Sequence, residues 1–180
     1  MKLQFALLCI TILLTQLNDS AEAAPRKPSI KFRNIEYFHR WSKDTQHEYT
    51  PKGQQDLKKW SDMVTLHTYP KAKDGEALAE MANSTLSNYK AAKGIIIKTS
   101  SVAKTATRPA EHLIVVVFGR PDFLEAAFAR FRMHNGVGTS VIYSHRIYGK
   151  KAGNAMSTWL KSNGAKIEAD LMKWNGMPKS

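Results

Sequence analysis

The segment from Ala127 to Gly149 constrains the fold more than any other part of the chain. Ala127, Ala129, Phe131 and Met133 alternate with Phe128, Arg130, Arg132 and His134. After Asn135-Gly136, the residues Val137, Thr139, Val141 and Tyr143 alternate with Gly138, Ser140, Ile142 and Ser144. Two period-two runs joined by Asn-Gly predict a β-hairpin, because a type I′ turn takes positive φ at both central residues and these two types tolerate it. The rival is a helix over Phe123 to Met133, where Leu, Ala, Glu and Arg are good helix formers. The alternation favours the strand, with a helical turn around Asp122 to Glu125. With the turn at Asn135-Gly136, Arg132 faces Thr139, Arg130 faces Val141 and Phe128 faces Tyr143. One side then presents Phe128, Arg130, Arg132, His134, Tyr143 and His145. The other, with Ala127, Ala129, Phe131, Met133 and Ile142, reads as core.

The rest of the chain reads as further strands and helices around this hairpin. Lys31 to Ser42 alternates aromatic and polar residues as one strand. Lys43-Asp44-Thr45 is a turn, and Gln46 to Thr50 returns until Pro51 ends it. Gly53 to Trp60 reads as one or two helical turns, and Ser61 to Tyr69 as a strand closed by Pro70. Asp74 then suits a helix N-cap. Leu78, Met81, Ala82, Thr85, Leu86 and Tyr89 follow at helical spacing until Gly94. Ile95-Ile96-Ile97 and Leu113 to Phe118 are continuous apolar runs, which suit strands covered on both faces or at the centre of a sheet, with a polar loop over Thr99 to Pro109 between them. Met156, Trp159, Leu160, Ile167, Leu171 and Trp174 make a helical stripe, which Asn163-Gly164 is expected to break into two helices. The sum is an α+β domain, a mainly antiparallel sheet with helices packed on it.

The ends bear on where the protein works. Lys2 gives a positive start, Phe5 to Leu14 is an apolar run, and Ala21-Glu22-Ala23 offers small residues to a signal peptidase. Residues 1–23 are therefore expected to be a secretory signal peptide cut after Ala23. A leader over 24–30 and a single domain over 31–176 follow. The apolar run is far shorter than the roughly 20 residues that span a bilayer, so no transmembrane segment is expected in the processed chain. Its expected location is periplasmic or extracellular. The single cysteine, Cys9, leaves with the signal, so the domain stands on its core without disulfides.

Charge points to partners. The chain holds 27 Lys and Arg against 15 Asp and Glu, a net of +12. The signal carries Lys2 against Asp19 and Glu22, so its removal raises the net by one. An excess of this size favours an anionic polymer or a membrane surface. Guanidinium groups beside aromatic rings suit phosphate or carboxylate, which makes Arg130, Arg132, His134, Tyr143 and His145 the candidate anion-binding face. A merely solvated strand face would carry the same residues.

Catalytic signatures are sparse. No Gly-x-Ser-x-Gly elbow is present, and Ser144-His145 are strand neighbours pointing to opposite faces. His67, His112 and His145 fall on predicted strands, but their spacing matches no metal motif, and no metal or other cofactor is expected. Glu111, Asp122 and Glu125 are explained by helix-start and loop roles. Asn83-Ser84-Thr85 is a formal glycosylation acceptor inside the predicted helix.

The blocks Trp60-Ser61-Asp62-Met63-Val64-Thr65 and Tyr143-Ser144-His145-Arg146-Ile147-Tyr148-Gly149 resemble those of uncharacterised exported bacterial proteins. The element order is similar to the PsbP-like fold, which implies an exported accessory protein. The reading that follows is a small basic binding or accessory protein without a catalytic set. Its alternative is an exported hydrolase built from His and carboxylate residues on the sheet. Hydrogen bonding in a cleft between any two of His67, His112, His145, Asp122 and Glu111 would favour that alternative.

Overall fold

Left-handed backbone marks the tight reversals of the chain. Arg33 and Asn34 have φ of 50° and 63°, Asp44 has 51°, and Asn135 and Gly136 have 50° and 75°. These positions close three hairpins. The computed structural model describes residues 29–178; the expected signal segment 1–23 and residues 24–28 of the leader lie outside them. The strands are β1 (Ser29–Phe32), β2 (Ile35–Lys43), β3 (Gln46–Pro51), β4 (Asp62–Tyr69), β5 (Ile95–Val102), β6 (Glu111–Gly119), β7 (Phe123–His134) and β8 (Val137–Tyr148). The helices are α1 (Gly75–Ala91) and α2 (Ala152–Lys173).

The eight strands among the described residues form one antiparallel sheet in the order β1-β2-β3-β4-β8-β7-β6-β5. The chain climbs from one edge to β4, crosses through α1 to the far edge, and returns so that β8 pairs with β4. The fold is α+β, as expected. The β7–β8 register matches the sequence reading, with Arg132 opposite Thr139, Arg130 opposite Val141 and Phe128 opposite Tyr143. The Asp74 carboxylate accepts from Ala77 N at 2.9 Å and so caps α1. At the other end of α1, Lys93 takes positive φ and Gly94 N donates to Tyr89 O. A Cβ on Gly94 would stand 2.6 Å from Val116 Cγ2, so glycine is required there by close approach.

The two faces of the sheet are covered unequally. On one, α2 lays Met156, Ile167 and Leu171 over Leu113, Val115, Phe128, Val141 and Tyr143. On the other, α1 presents Leu78 and Ala82 to Ile114, Ala129 and Phe131. Helix α1 packs mainly on β6 and β7 and leaves the β3–β4 side of its face to other residues.

Several expectations give way. The stretch Lys31 to Ser42 is not one strand but two, because Arg33-Asn34 is a left-handed turn. Ser29 and Ile30, placed in the leader, are already paired in β1. Residues 53–60 contain no helix, and Asp122 to Glu125 form no helical turn, since β7 begins at Phe123. Strand β5 lies at the sheet edge with Ile95 and Ile97 67% and 52% exposed, so that apolar run is not covered on both faces. Helix α2 runs unbroken through Asn163-Gly164. An interior glycine costs about 1 kcal/mol against alanine, and burial of Ile167 and Leu171 at about 1.5–3 kcal/mol each outweighs it.

Candidate functional site

Alternation places Arg130, Arg132, Tyr143 and His145 on one side of the sheet, as read from sequence, but that side is the floor beneath α2. Arg130 and Arg132 are 3% and 8% exposed, and Tyr143 is 4% exposed. Arg130 Nε and Nη2 each lie 2.9 Å from Glu111 Oε2, and its Nη1 donates to the Leu171 and Trp174 carbonyls at 2.8 Å each. Arg132 Nη1 bonds the Asn175 side-chain oxygen and reaches Trp174 O at 3.4 Å, while its Nη2 lies 3.3 Å from His134 Nδ1. Burial, and then the neighbouring Arg130 charge, lowers the pKa of the Arg132 guanidinium from its ordinary value. These two arginines close the C-terminal end of α2, where the last carbonyls lack helical partners and the helix dipole favours cations. The expectation of an open anion-binding face on this hairpin is therefore corrected: its guanidiniums are committed to the protein.

Tyr143 and His145 meet a residue the sequence reading passed over. Asp62 pairs with His145 across β4 and β8. Tyr143 Oη donates to Asp62 Oδ1 at 2.6 Å, and His145 Nδ1 lies 3.0 Å from the same oxygen. The His145 ring stacks on Trp159 of α2 with centroids 4.0 Å apart and planes 5° from parallel. Burial alone would raise the Asp62 pKa, but hydrogen bonds from His145 and Tyr143 and the His145 charge hold it below the ordinary carboxylate value. Burial and the Asp62 charge push the Tyr143 hydroxyl far up.

The other groups considered for hydrolysis do not converge. His112 Nδ1 is 2.8 Å from Ser101 Oγ, Glu111 holds Arg130, and His67 packs on the Tyr69 ring. Among the described residues, no hydrogen bond joins any two of His67, His112, His145, Asp122 and Glu111. Nor do three or more His, Cys, Asp or Glu residues gather there as a metal-sized group. No described helix is long and apolar enough to cross a membrane.

Two of the concave regions among the described residues bear on function. The first is a recess of about 360 Å³ on the α1 face, walled by the β3–β4 loop, β3, β4, β8, β7, Phe118 and Tyr89. Its loop wall is fixed by Gln54, whose Oε1 accepts from Ser61 N and Asp62 N at 2.7 and 2.9 Å, and by Tyr148 Oη, which donates to Trp60 O at 2.8 Å. Arg146 is clamped beside it, 3.7 Å from the Trp60 ring centroid and 4.2 Å from that of Phe123, with Nε donating to Glu125 at 2.8 Å. Glu48 also lines the recess. It accepts from Gln46 Nε2 at 3.1 Å, and burial raises its pKa above the ordinary carboxylate value.

The second is a trough of about 610 Å³ between the β1–β2 turn and the end of α2. Lys31, Arg33, Lys166 and Lys173 line it against one carboxylate, Asp170, which lies 3.1 Å from Arg33 Nε. Lys166, Asp170 and Lys173 are spaced by four and three residues, so they share a helix face. Trp174 Nε1 donates to Lys31 O at 2.7 Å and ties the helix end to β1. The lysines are individually ordinary surface residues in the sequence. Their convergence depends on where α2 lands.

A comparison with curated proteins finds no match. Among solved structures, the chain is similar to the Ran-binding protein Mog1p of Saccharomyces cerevisiae. That match has 12% identity over 76% of this chain and 83% of that one, with a TM-score of 0.44. The model of an uncharacterised protein family matches residues 24–175, and the chain belongs to that family.

Proposed function

We propose that this chain is an exported, non-catalytic binding protein whose partner is an anionic polymer, received in the trough of Lys31, Arg33, Lys166 and Lys173. One observation carries the reading: four cations surround a single concavity that holds one carboxylate. A trough suits a flexible chain of charges, whereas a planar membrane surface fills a concavity poorly. The net charge of +12 adds long-range attraction for such a partner. Export is proposed from the charged start, the short apolar run and Ala21-Glu22-Ala23. The PsbP-like arrangement is proposed on element order, with a strand ending at Tyr69-Pro70, a long helix, antiparallel strands and a closing helix in its support.

The test is a salt-gradient heparin column run with the unmodified chain and with Lys166→Ser/Lys173→Ser. Both lysines are exposed, so the double variant should remain folded and elute at lower salt. Co-elution of the two proteins would overturn the assignment to the trough. Binding to vesicles of anionic lipid without retention on heparin would overturn the polymer in favour of a membrane. For export, N-terminal sequencing of extracytoplasmic protein should begin at Ala24; intact Met1 in the cytoplasm would defeat that part.

A further inference from the structure

The α1-face recess has a local charge opposite to that of the molecule. Its only ionisable residues normally charged at neutral pH are Glu48, Glu125 and Arg146, and Arg146 is already bonded to Glu125. Glu48 is half-buried, has no ion pair within 4 Å among the described residues, and accepts one neutral hydrogen bond, from Gln46. A carboxylate withdrawn from water and lacking a counter-charge lowers stability. Around it stand Trp60, Met63, Ile142 and Phe118, an apolar wall of the kind that encloses the body of a small molecule. The volume, about 360 Å³, is at the lower end of small-ligand sites.

We propose that this recess binds a small organic ammonium with an apolar body, the ammonium received by Glu48 and the body by the Trp60–Phe118 side. A cation there gives Glu48 a direct ion pair, since the guanidinium that acts on it from a distance, Arg146, is already bonded to Glu125. An anion would meet an excess negative charge, with the guanidinium of Arg146 already stacked and paired. The overall positive charge of the protein does not forbid a cationic ligand, because salt screens charges beyond about 8–10 Å. The site lies on the face opposite α2 and involves none of the trough residues, so it stands or falls separately from polymer binding.

The experiment is isothermal titration of the full chain with phenethylamine and its two close analogues, phenethyl alcohol and phenylacetate. The amine should bind, with the alcohol and the acid weaker by about tenfold or more, since a hydrogen bond to a charged group separates them. Glu48→Gln should remove that preference for the amine, and Glu80→Gln, on the exposed side of α1, should leave it intact. Equal binding of all three probes, no binding of any, or preference for the acid would each overturn the proposal. The analogue comparison is made on the unmodified chain, so it decides the matter even where Glu48→Gln fails to fold.

Discussion

The two faces of the sheet treat their polar groups in opposite ways. Beneath α2, Arg130, Arg132, Asp62, Tyr143 and His145 are drawn into a packed layer and bonded to one another, to Glu111 and to the end of α2. Arg132 Nε is buried there without a partner. Beside α1, the shorter reach of the helix leaves Glu48, Thr65, Ser144 and Arg146 around open space. The same alternation that puts arginines in a row on one face puts a carboxylate-lined recess on the other. Which row binds something is decided by where a helix lands, not by which residues the row contains. Charged residues on a strand are therefore poor evidence for a binding face until the covering layer is known.

The largest effect should come from breaking the covered face at its centre. Arg130→Leu leaves Glu111 without its cation and the Leu171 and Trp174 carbonyls without a donor. Removing one member of a buried pair costs about 3–5 kcal/mol. Urea unfolding should show a loss in that range, with the end of α2 loosened, and a loss below about 1 kcal/mol would mean that the pair is dispensable. Next comes Asp62→Asn, which weakens two charge-assisted hydrogen bonds and should cost about 2 kcal/mol at pH 7. Its pH dependence is the sharper reading. A carboxyl held below its ordinary pKa stabilises the fold at pH values above the ordinary one, and that stability is lost as pH falls through the folded pKa. The titratable groups facing it are His145, Tyr143 and Tyr37, with the Gln54 side chain also bonded to it. The variant should therefore approach the unmodified chain in stability as both are acidified below about pH 4. A gap that persists unchanged into acid would locate the effect in packing instead.

A smaller effect of opposite sign tests whether α2 is held by its packing or by its sequence. Gly164→Ala should stabilise the protein by up to about 1 kcal/mol, because the new Cβ would meet only Phe128 Cζ at 4.0 Å and alanine is the better helix former. Thermal melting checks it. The same change at Gly94 should destabilise, since its Cβ would collide with Val116, Phe118 and the Tyr89 carbonyl.

What could be read in advance follows the range of the forces involved. The Asn135-Gly136 hairpin and its register were legible because turn chemistry and alternation are local, and the Asp74 cap of α1 for the same reason. Arg33-Asn34 lies inside an aromatic alternation that reads as one continuous strand, and its left-handed turn is hidden there. The apolar run Ile95-Ile96-Ile97 suggested a central strand, yet nothing in three residues reports whether a neighbour lies beyond them. Asp62 became interesting only when β4 was placed beside β8, a pairing separated by some eighty residues. The trough of Lys31, Arg33, Lys166 and Lys173 joins the two ends of the domain. No window along the chain contains it.

The smallest predicted effect is the most specific to the comparison, because it sets Glu48 on the open face against Asp62 on the covered one. Both are strand carboxylates, but burial without a direct ion pair raises the Glu48 pKa, where hydrogen bonds lower that of Asp62. Facing Glu48 are Gln46, Arg146 and Glu125, and the favourable Arg146 and Gln46 contributions are smaller than the burial cost. A raised carboxyl binds its proton more tightly folded than unfolded. Folding is then helped as pH falls through the raised pKa, and the ionised group opposes folding at neutral pH. Without ligand, Glu48→Gln should stabilise the protein slightly at pH 7, by no more than about 0.5 kcal/mol as is usual away from a packed core. That gain should vanish below the ordinary carboxylate range, where both side chains are neutral. Asp62→Asn runs the other way, losing stability at pH 7 and recovering parity in acid. Melting curves of the two variants and the unmodified chain from pH 3 to pH 8 should therefore diverge in opposite directions from a common acid limit. If Glu48→Gln instead lost stability at pH 7, its carboxylate would be serving the fold, and the contrast between a closed face and an open one would not extend to how each face handles charge.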